Sequence, residues 1–141
     1  MDYWILNEKQ ITSLNDLPED IFGFVYLITN LDNGKKYIGK KQIFSNRKVK
    51  LSKRQLERRL DKRSSIYKTI KKESNWLIYT GSNEELSKDV RNGANIKREI
   101  LKICYTKRQL TYFETKFLFT YGVIESDEFY NQNILGKFYT F

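Results

Sequence analysis

The stretch Phe24–Lys41, FVYLITNLDNGKKYIGKK, constrains the fold more than any other part of the chain. An apolar, β-branched and aromatic run from Phe24 to Thr29 breaks at Asn30-Leu31-Asp32-Asn33-Gly34 and resumes at Tyr37-Ile38-Gly39. Strand-forming side chains on both sides of an Asn-Gly turn predict a β-hairpin over residues 23–43. Tyr26 and Tyr37 fall on opposite arms, 11 positions apart, so the hairpin brings two phenols onto one small sheet. Strand propensity alone accounts for two tyrosines. It does not account for the lysines beside them at 35, 36, 40 and 41.

What the composition lacks narrows the chemistry. The 141 residues include no histidine and one cysteine, Cys104. Imidazole is therefore absent as general base, triad member or metal ligand, and proton transfer falls to Tyr, Lys, Asp, Glu or water. A lone cysteine excludes an internal disulfide framework and a multi-cysteine zinc site. The length predicts one domain, 1–141, able to bury a single core unaided. Apolar runs are short, and MDYWILNEKQ has no basic segment leading into an apolar one. The expectation is no membrane span, no signal peptide and a cytoplasmic location.

Lys and Arg number 26 against 17 Asp and Glu, a net charge of +9, and the excess is uneven. From Lys35 to Lys72 stand sixteen Lys/Arg and two acids, Glu57 and Asp61. Ordinary solvated surface mixes both signs, whereas a one-sided stripe points to a polyanion. An anionic membrane would want a long apolar face with Trp or Phe beside the cations. None accompanies them, so nucleic acid is the expected partner.

Residues 1–22 read as an N-terminal extension, with Tyr3 and Trp4 covering an edge of the core. Residues 48–93 read as a basic helical insertion: Leu56, Leu60, Tyr67 and Ile70 recur at near-helical spacing, predicting a helix from Ser52 to about Asn75. After Trp76–Gly81, Ser82-Asn83-Glu84-Glu85 resembles a capping box that starts a short helix ending at Asn92-Gly93. Ile96–Tyr105 suits a third strand returning to the hairpin. Thr106-Lys107-Arg108-Gln109 opens a last helix with Leu110, Phe113, Phe117, Leu118 and Tyr121 on one stripe, stopped by Gly122. The expected class is α/β (α+β): a small three-stranded antiparallel sheet flanked by helices. Glu114 falls at the edge of that last apolar stripe, where a carboxylate is costly unless a cation meets it. A lysine would serve, and so would a Mg²⁺ ion held by one carboxylate, waters and phosphate oxygens.

These residues together resemble the GIY-YIG nuclease superfamily. Phe24-Val25-Tyr26 stands where the family has GIY, and Tyr37-Ile38-Gly39 matches YIG literally. The run Gly39–Arg47 is similar to the same region of the bacterial excision-repair incision subunit, with Lys40 directly after YIG and Arg47 eight positions beyond the glycine. Glu114 would be the family's metal-binding glutamate and Asn131 its asparagine near the C-terminal end. GFVYLITN, YIGKK and a WxxYxGS segment (Trp76, Tyr79, Gly81, Ser82) are similar to phage-encoded free-standing enzymes of the homing-endonuclease-like group. Where many relatives carry His or Tyr four positions after the arginine, this chain has Leu51. Tyr67 or Tyr79 would have to supply that group from elsewhere, and Arg54 or Arg58 are alternatives to Arg47.

The resemblance implies a metal-dependent DNA endonuclease using Mg²⁺ or Mn²⁺, in a bacterial host cell if phage-encoded. Tyr26, Tyr37, Lys40, Arg47, Glu114 and Asn131 would form the catalytic set, with Glu114 the metal ligand. Lys41, Lys48, Lys50, Lys53, Arg54, Arg58 and Arg59 would bind DNA. A phenol is a poor base at its ordinary pKa near 10, so Lys40 and Lys41 are expected to lower it. One active site per chain implies nicking unless two copies pair, as a monomer or a DNA-induced dimer would decide. Two other readings stay open. One is a PD-(D/E)xK nuclease using Glu114-Thr115-Lys116 with Asp20 or Asp32, and the other a basic binding module whose tyrosines stack on bases.

Overall fold

A computed structural model describes residues 3–141; Met1 and Asp2, which open the expected N-terminal extension, lie outside the described residues. The hairpin forms where the sequence places it. β3 (Gly23–Asn30) and β4 (Lys36–Gln42) pair antiparallel, with Tyr26 opposite Gly39 and Ile28 opposite Tyr37. Asn30 and Asn33 each accept, through Oδ1, a backbone N–H two residues on, at 2.9 Å, and Gly34 supplies the positive φ of 77° that closes the turn.

The sheet is wider than expected. It has five strands in the order β2-β1-β7-β3-β4, adding β1 (Trp4–Leu6) and β2 (Lys9–Ile11) to the hairpin and β7 (Ile96–Cys104). β1 runs parallel to β7, with Trp4 opposite Arg98, so the sheet is mixed and not wholly antiparallel. Three residues are too few for alternation to be read from a sequence, which is why residues 3–22 looked like an extension. Trp4 is fully buried, central to the core and not a cover for its edge; Tyr3 stays exposed.

The expected helix from Ser52 to Asn75 is not formed. The chain instead folds as a ribbon, β5 (Phe44–Lys50) paired antiparallel with β6 (Tyr67–Glu73), and a five-residue helix, α1 (Lys53–Glu57), lies between them. A helical stripe stabilises a helix only when a core receives it. Here Leu60, Tyr67 and Ile70 are exposed, while β-branched Val49, Thr69 and Ile70 suit a strand.

Two further helices follow, α2 (Glu84–Arg91) and α3 (Lys107–Thr120). Asn83, one residue beyond the Ser82 expected, caps α2 by accepting from Leu86 N at 2.9 Å. Thr106 caps α3 as read, accepting from Gln109 N at 3.0 Å, and Gly122 (φ 59°) follows its end. No helix among the described residues is long and apolar enough to cross a membrane.

β3 lies between β7 and the edge strand β4, and its alternate side chains feed two cores. Phe24, Tyr26 and Ile28 pack with Trp4, Trp76, Leu86 and Ile100 on one face; Val25 and Leu27 pack with Leu110, Leu118, Val123 and Ile134 on the other. β4 is an edge strand, and residues 128–131 cover the first half of that edge. Lys36 N donates to Glu128 O at 2.9 Å and Lys36 O accepts from Tyr130 N at 2.7 Å. Beyond Ile38 the edge stays open as far as Gln42, whose carbonyl accepts from Ser74 Oγ at 2.6 Å, and the site lies in that gap.

If residues 3–22 are integral to the domain, Trp4→Ala should cost about 3–5 kcal/mol, the usual loss for a buried large aromatic. Urea unfolding measures it, and a loss near zero would make this segment an appendage.

Candidate active site

Tyr26, Tyr37 and Tyr79 converge on one face of the hairpin. Tyr26 and Tyr37 are diagonal neighbours across β3 and β4 with ring centroids 6.2 Å apart, and Tyr79 stands edge-on to Tyr26 at 6.0 Å. The Tyr26 ring lies over Gly39, where an added Cβ would collide with its hydroxyl. The glycine of YIG is thus required by close approach, since its own backbone is ordinary extended strand. Tyr26 is buried, whereas Tyr37 lines a cleft of about 370 Å³ together with Ser82, Glu114, Asn131 and Leu135. The Tyr37 hydroxyl is 3.2 Å from Ser82 Oγ.

Tyr79, Gly81 and Ser82 are held against the hairpin by a residue the sequence reading passed over. Arg98, buried on β7, donates from Nη1 to the carbonyls of Leu77 and Tyr79 at 3.0 and 2.9 Å and stacks on the Trp4 ring at 4.6 Å. Trp4 Nε1 adds a bond to Trp76 O at 2.7 Å. A signal was present: Arg98 falls in the inward register of Ile96-x-Arg98-x-Ile100, where a charge must find buried acceptors.

On the other side of β4, Lys40 reaches α3. Its Nζ is 3.3 Å from Thr111 Oγ1 and 3.9 Å from Glu114 Oε1. Glu114 is mostly buried, and burial raises its carboxyl above the ordinary glutamate value while Lys40 pulls it back in part. Of the two cations expected from the sequence, the lysine is in place as Lys40, and it leaves the carboxyl still short of counter-charge. Among the described residues no three His, Cys, Asp or Glu side chains converge. A lone carboxylate in this state suits a hydrated divalent ion, which accepts few protein ligands.

Asn131 is buried and engages β4 with both amide atoms: Oδ1 accepts from Ile38 N at 3.0 Å and Nδ2 donates to Ile38 O at 2.9 Å. It completes the strand edge as a peptide group would.

The expected lowering of the tyrosine pKa values does not occur. Burial pushes Tyr26 well above its ordinary value, reinforced by Tyr37, Tyr79 and Glu114. Burial likewise raises Tyr37, against a smaller opposite effect of the Ser82 bond. Lys41 lies over the Tyr79 ring at 3.9 Å and is itself lowered by burial.

Tyr26, Tyr37, Lys40, Glu114 and Asn131 are thus gathered around the open half of the β4 edge. Arg47 is not among them: it stands exposed on β5, opposite Ile70, with Lys48 and Lys50 on the same strand. Lys53 and Arg54 belong to α1, Arg58 caps it and Arg59 follows. Tyr67, offered as a stand-in for the group missing at Leu51, is exposed opposite Lys50; Tyr79 is the tyrosine that joins the cluster. The PD-(D/E)xK grouping does not assemble with Asp32, which is engaged with Asn95 in the hairpin turn, and Lys116 extends toward the Phe113 ring.

The family model described as "Putative endonuclease segE, GIY-YIG domain" matches residues 4–134. Of the curated proteins and the solved structures, none matches the chain.

The raised Glu114 value has a stability consequence in metal-free buffer. Its folded form binds the proton more tightly than the unfolded chain, so that contribution is complete below the ordinary value of about 4.3 and is lost as pH rises through the folded value. Glu114→Gln, which never ionises, should melt above the wild type at about pH 7 in EDTA, with the gap closing by about pH 4. Equal melting temperatures at both pH values would mean that Lys40 fully compensates the carboxylate.

Proposed function

The chain belongs to the SegE-type GIY-YIG endonuclease family, and from that membership we propose that it hydrolyses DNA phosphodiester bonds at the open edge of β4. The observation that carries the reading is the meeting there of Tyr37, Ser82 and Glu114 in one cleft, with Lys40 beside Glu114.

Hydrolysis needs a water aligned with the scissile bond, a group to take its proton, and relief of charge gathering on the phosphoryl oxygens. Tyr37 is the phenol that faces the cleft, so it orients the attacking water and accepts its proton. Its raised pKa keeps it protonated in the free protein, so it could take the water's proton only where a bound cation had lowered that value and its own proton had passed to solvent. Tyr26, buried behind it, and Tyr79 hold that ring in place. Lys40 leaves the weak Glu114 contact to meet a phosphate oxygen.

Glu114 would hold a divalent ion, Mg²⁺ or Mn²⁺, which when bound supplies positive charge to the leaving oxygen. Asn131 acts by position: both of its amide atoms are spent on Ile38, so it aligns Tyr37 and Gly39 and does not touch substrate. Arg47 contributes phosphate binding from the ribbon, with its planar fork as the clamp.

Supercoiled plasmid incubated with the protein in Mg²⁺ or in EDTA tests the activity. Glu114→Gln should bind DNA within a few-fold of wild type and lose cleavage by ~10²-fold or more, and Tyr37→Phe should lose as much in single-turnover rate while melting normally. Tyr37→Phe cutting at the wild-type rate would remove the tyrosine from the chemistry. Glu114→Gln cutting at that rate would remove the metal site.

A further inference from the structure

The ribbon that carries Arg47 contributes little to either core. Every residue of β6 is exposed, and on β5 only Phe44 and Val49 are half-buried. A two-stranded ribbon without a buried face is marginal in water. From Ser45 to Lys72 it holds twelve Lys/Arg and two acids. The register sets like charges side by side: Lys48 lies diagonal to Lys71 on one face, and Arg47 lies between Lys68 and Lys72 on the other. Diagonal neighbours sit about 7–8 Å apart, and like charges there repel; the one strand acid, Glu73, lies at the root and accepts from Trp76. Such an element gains its counter-charge by meeting a polyanion.

We propose that the β5–β6 ribbon docks in the major groove of duplex DNA, with the face of Asn46, Lys48, Thr69 and Lys71 toward the base edges, and so sets which bond reaches the cleft. The proposal rests on the DNA-endonuclease reading and adds to it an element, a groove and a mode of positioning.

Size supports this. Seven strand residues span about 23 Å, and a major groove about 12 Å wide admits a two-stranded ribbon where a minor groove of about 6 Å does not. Chemistry supports it as well. Asn pairs with adenine N6 and N7, Lys with guanine O6 and N7, and Thr with either. Arg47, Lys68 and Lys72, on the opposite face, are long enough to lean onto the phosphates of the groove walls.

The root is firmly joined to the site. Ser74 donates from N to Ile43 O at 2.8 Å and from Oγ to Gln42 O at 2.6 Å, and Trp76 Nε1 donates to Glu73 Oε2 at 2.9 Å. β5 begins two residues after β4 ends, so a ribbon seated in the groove fixes the position of Lys40 and Gly39 along the backbone.

Binding in EDTA to duplex lightly treated with dimethyl sulfate tests the groove, because that reagent marks guanine N7 in the major groove and adenine N3 in the minor. The bound fraction should be depleted several-fold in methylated guanine and unchanged in methylated adenine. The triple variant Asn46→Ala, Lys48→Ala, Thr69→Val should abolish the guanine effect, and replacing residues 45–72 by Asn-Gly should cost ~10²-fold or more in affinity. Depletion at adenine alone, no depletion at either mark, or near wild-type binding by a ribbonless protein that melts cooperatively would overturn the proposal. Should the ribbonless protein fail to fold, the triple variant, altered only at exposed positions, decides. A wild type that shows guanine interference yet never cuts in Mg²⁺ would refute the nuclease reading and leave the docking intact.

Discussion

The amide of Asn131 bonded to both backbone groups of Ile38 is the contact on which the site depends. β4 is an edge strand, and an edge strand offers unpaired N–H and C=O groups to whatever approaches. Residues 128–131 close that edge from Lys36 to Ile38, the last step made by a side chain in place of a peptide. Covering therefore ends at Gly39. The cleft opens where it ends, with Tyr37 approaching from one face of the sheet and Glu114 and Lys40 from the other.

Arg98 performs the matching task on the far face. A buried guanidinium is costly unless acceptors meet it, and here two carbonyls of the 77–79 segment and the Trp4 ring do so. The same bonds that satisfy the charge hold Tyr79 beside Tyr26 and Ser82 beside Tyr37. Trp4, the partner of both Arg98 and Trp76, explains why the N-terminal strands belong to the domain that houses the site.

Charge is divided between two places with different physics. At the cleft it is sparse and partly buried, so Glu114, Tyr26 and Tyr37 all hold protons more tightly than in water. On the ribbon it is dense and solvated, where each cation is individually weak but the sum is a strong, salt-sensitive attraction for phosphate. A short, hydrogen-bonded root joins the two regions.

The hairpin was readable from the sequence because local chemistry decides it: β-branched and aromatic runs around Asn-Gly admit few other structures, and the caps at Thr106 and Gly122 are equally local. Tyr37 could be singled out by a literal YIG, Tyr26 by its place on the facing arm where the family has GIY, and Glu114 as a carboxylate in an apolar stripe. Tertiary structure alone decided the rest. β1 and β2 are three residues each and exist because β7 and the core receive Trp4. The 52–75 segment has a helical spacing that no core answers, so pairing between β5 and β6 prevails. Asn131 was legible as a residue of interest, but its bond to Ile38 spans 93 positions, and no local pattern encodes a contact of that range. The direction of the tyrosine pKa shifts was decided in the same way, because burial is a property of the assembled fold, which also draws Lys40 to Glu114 and Lys41 to the Tyr79 ring.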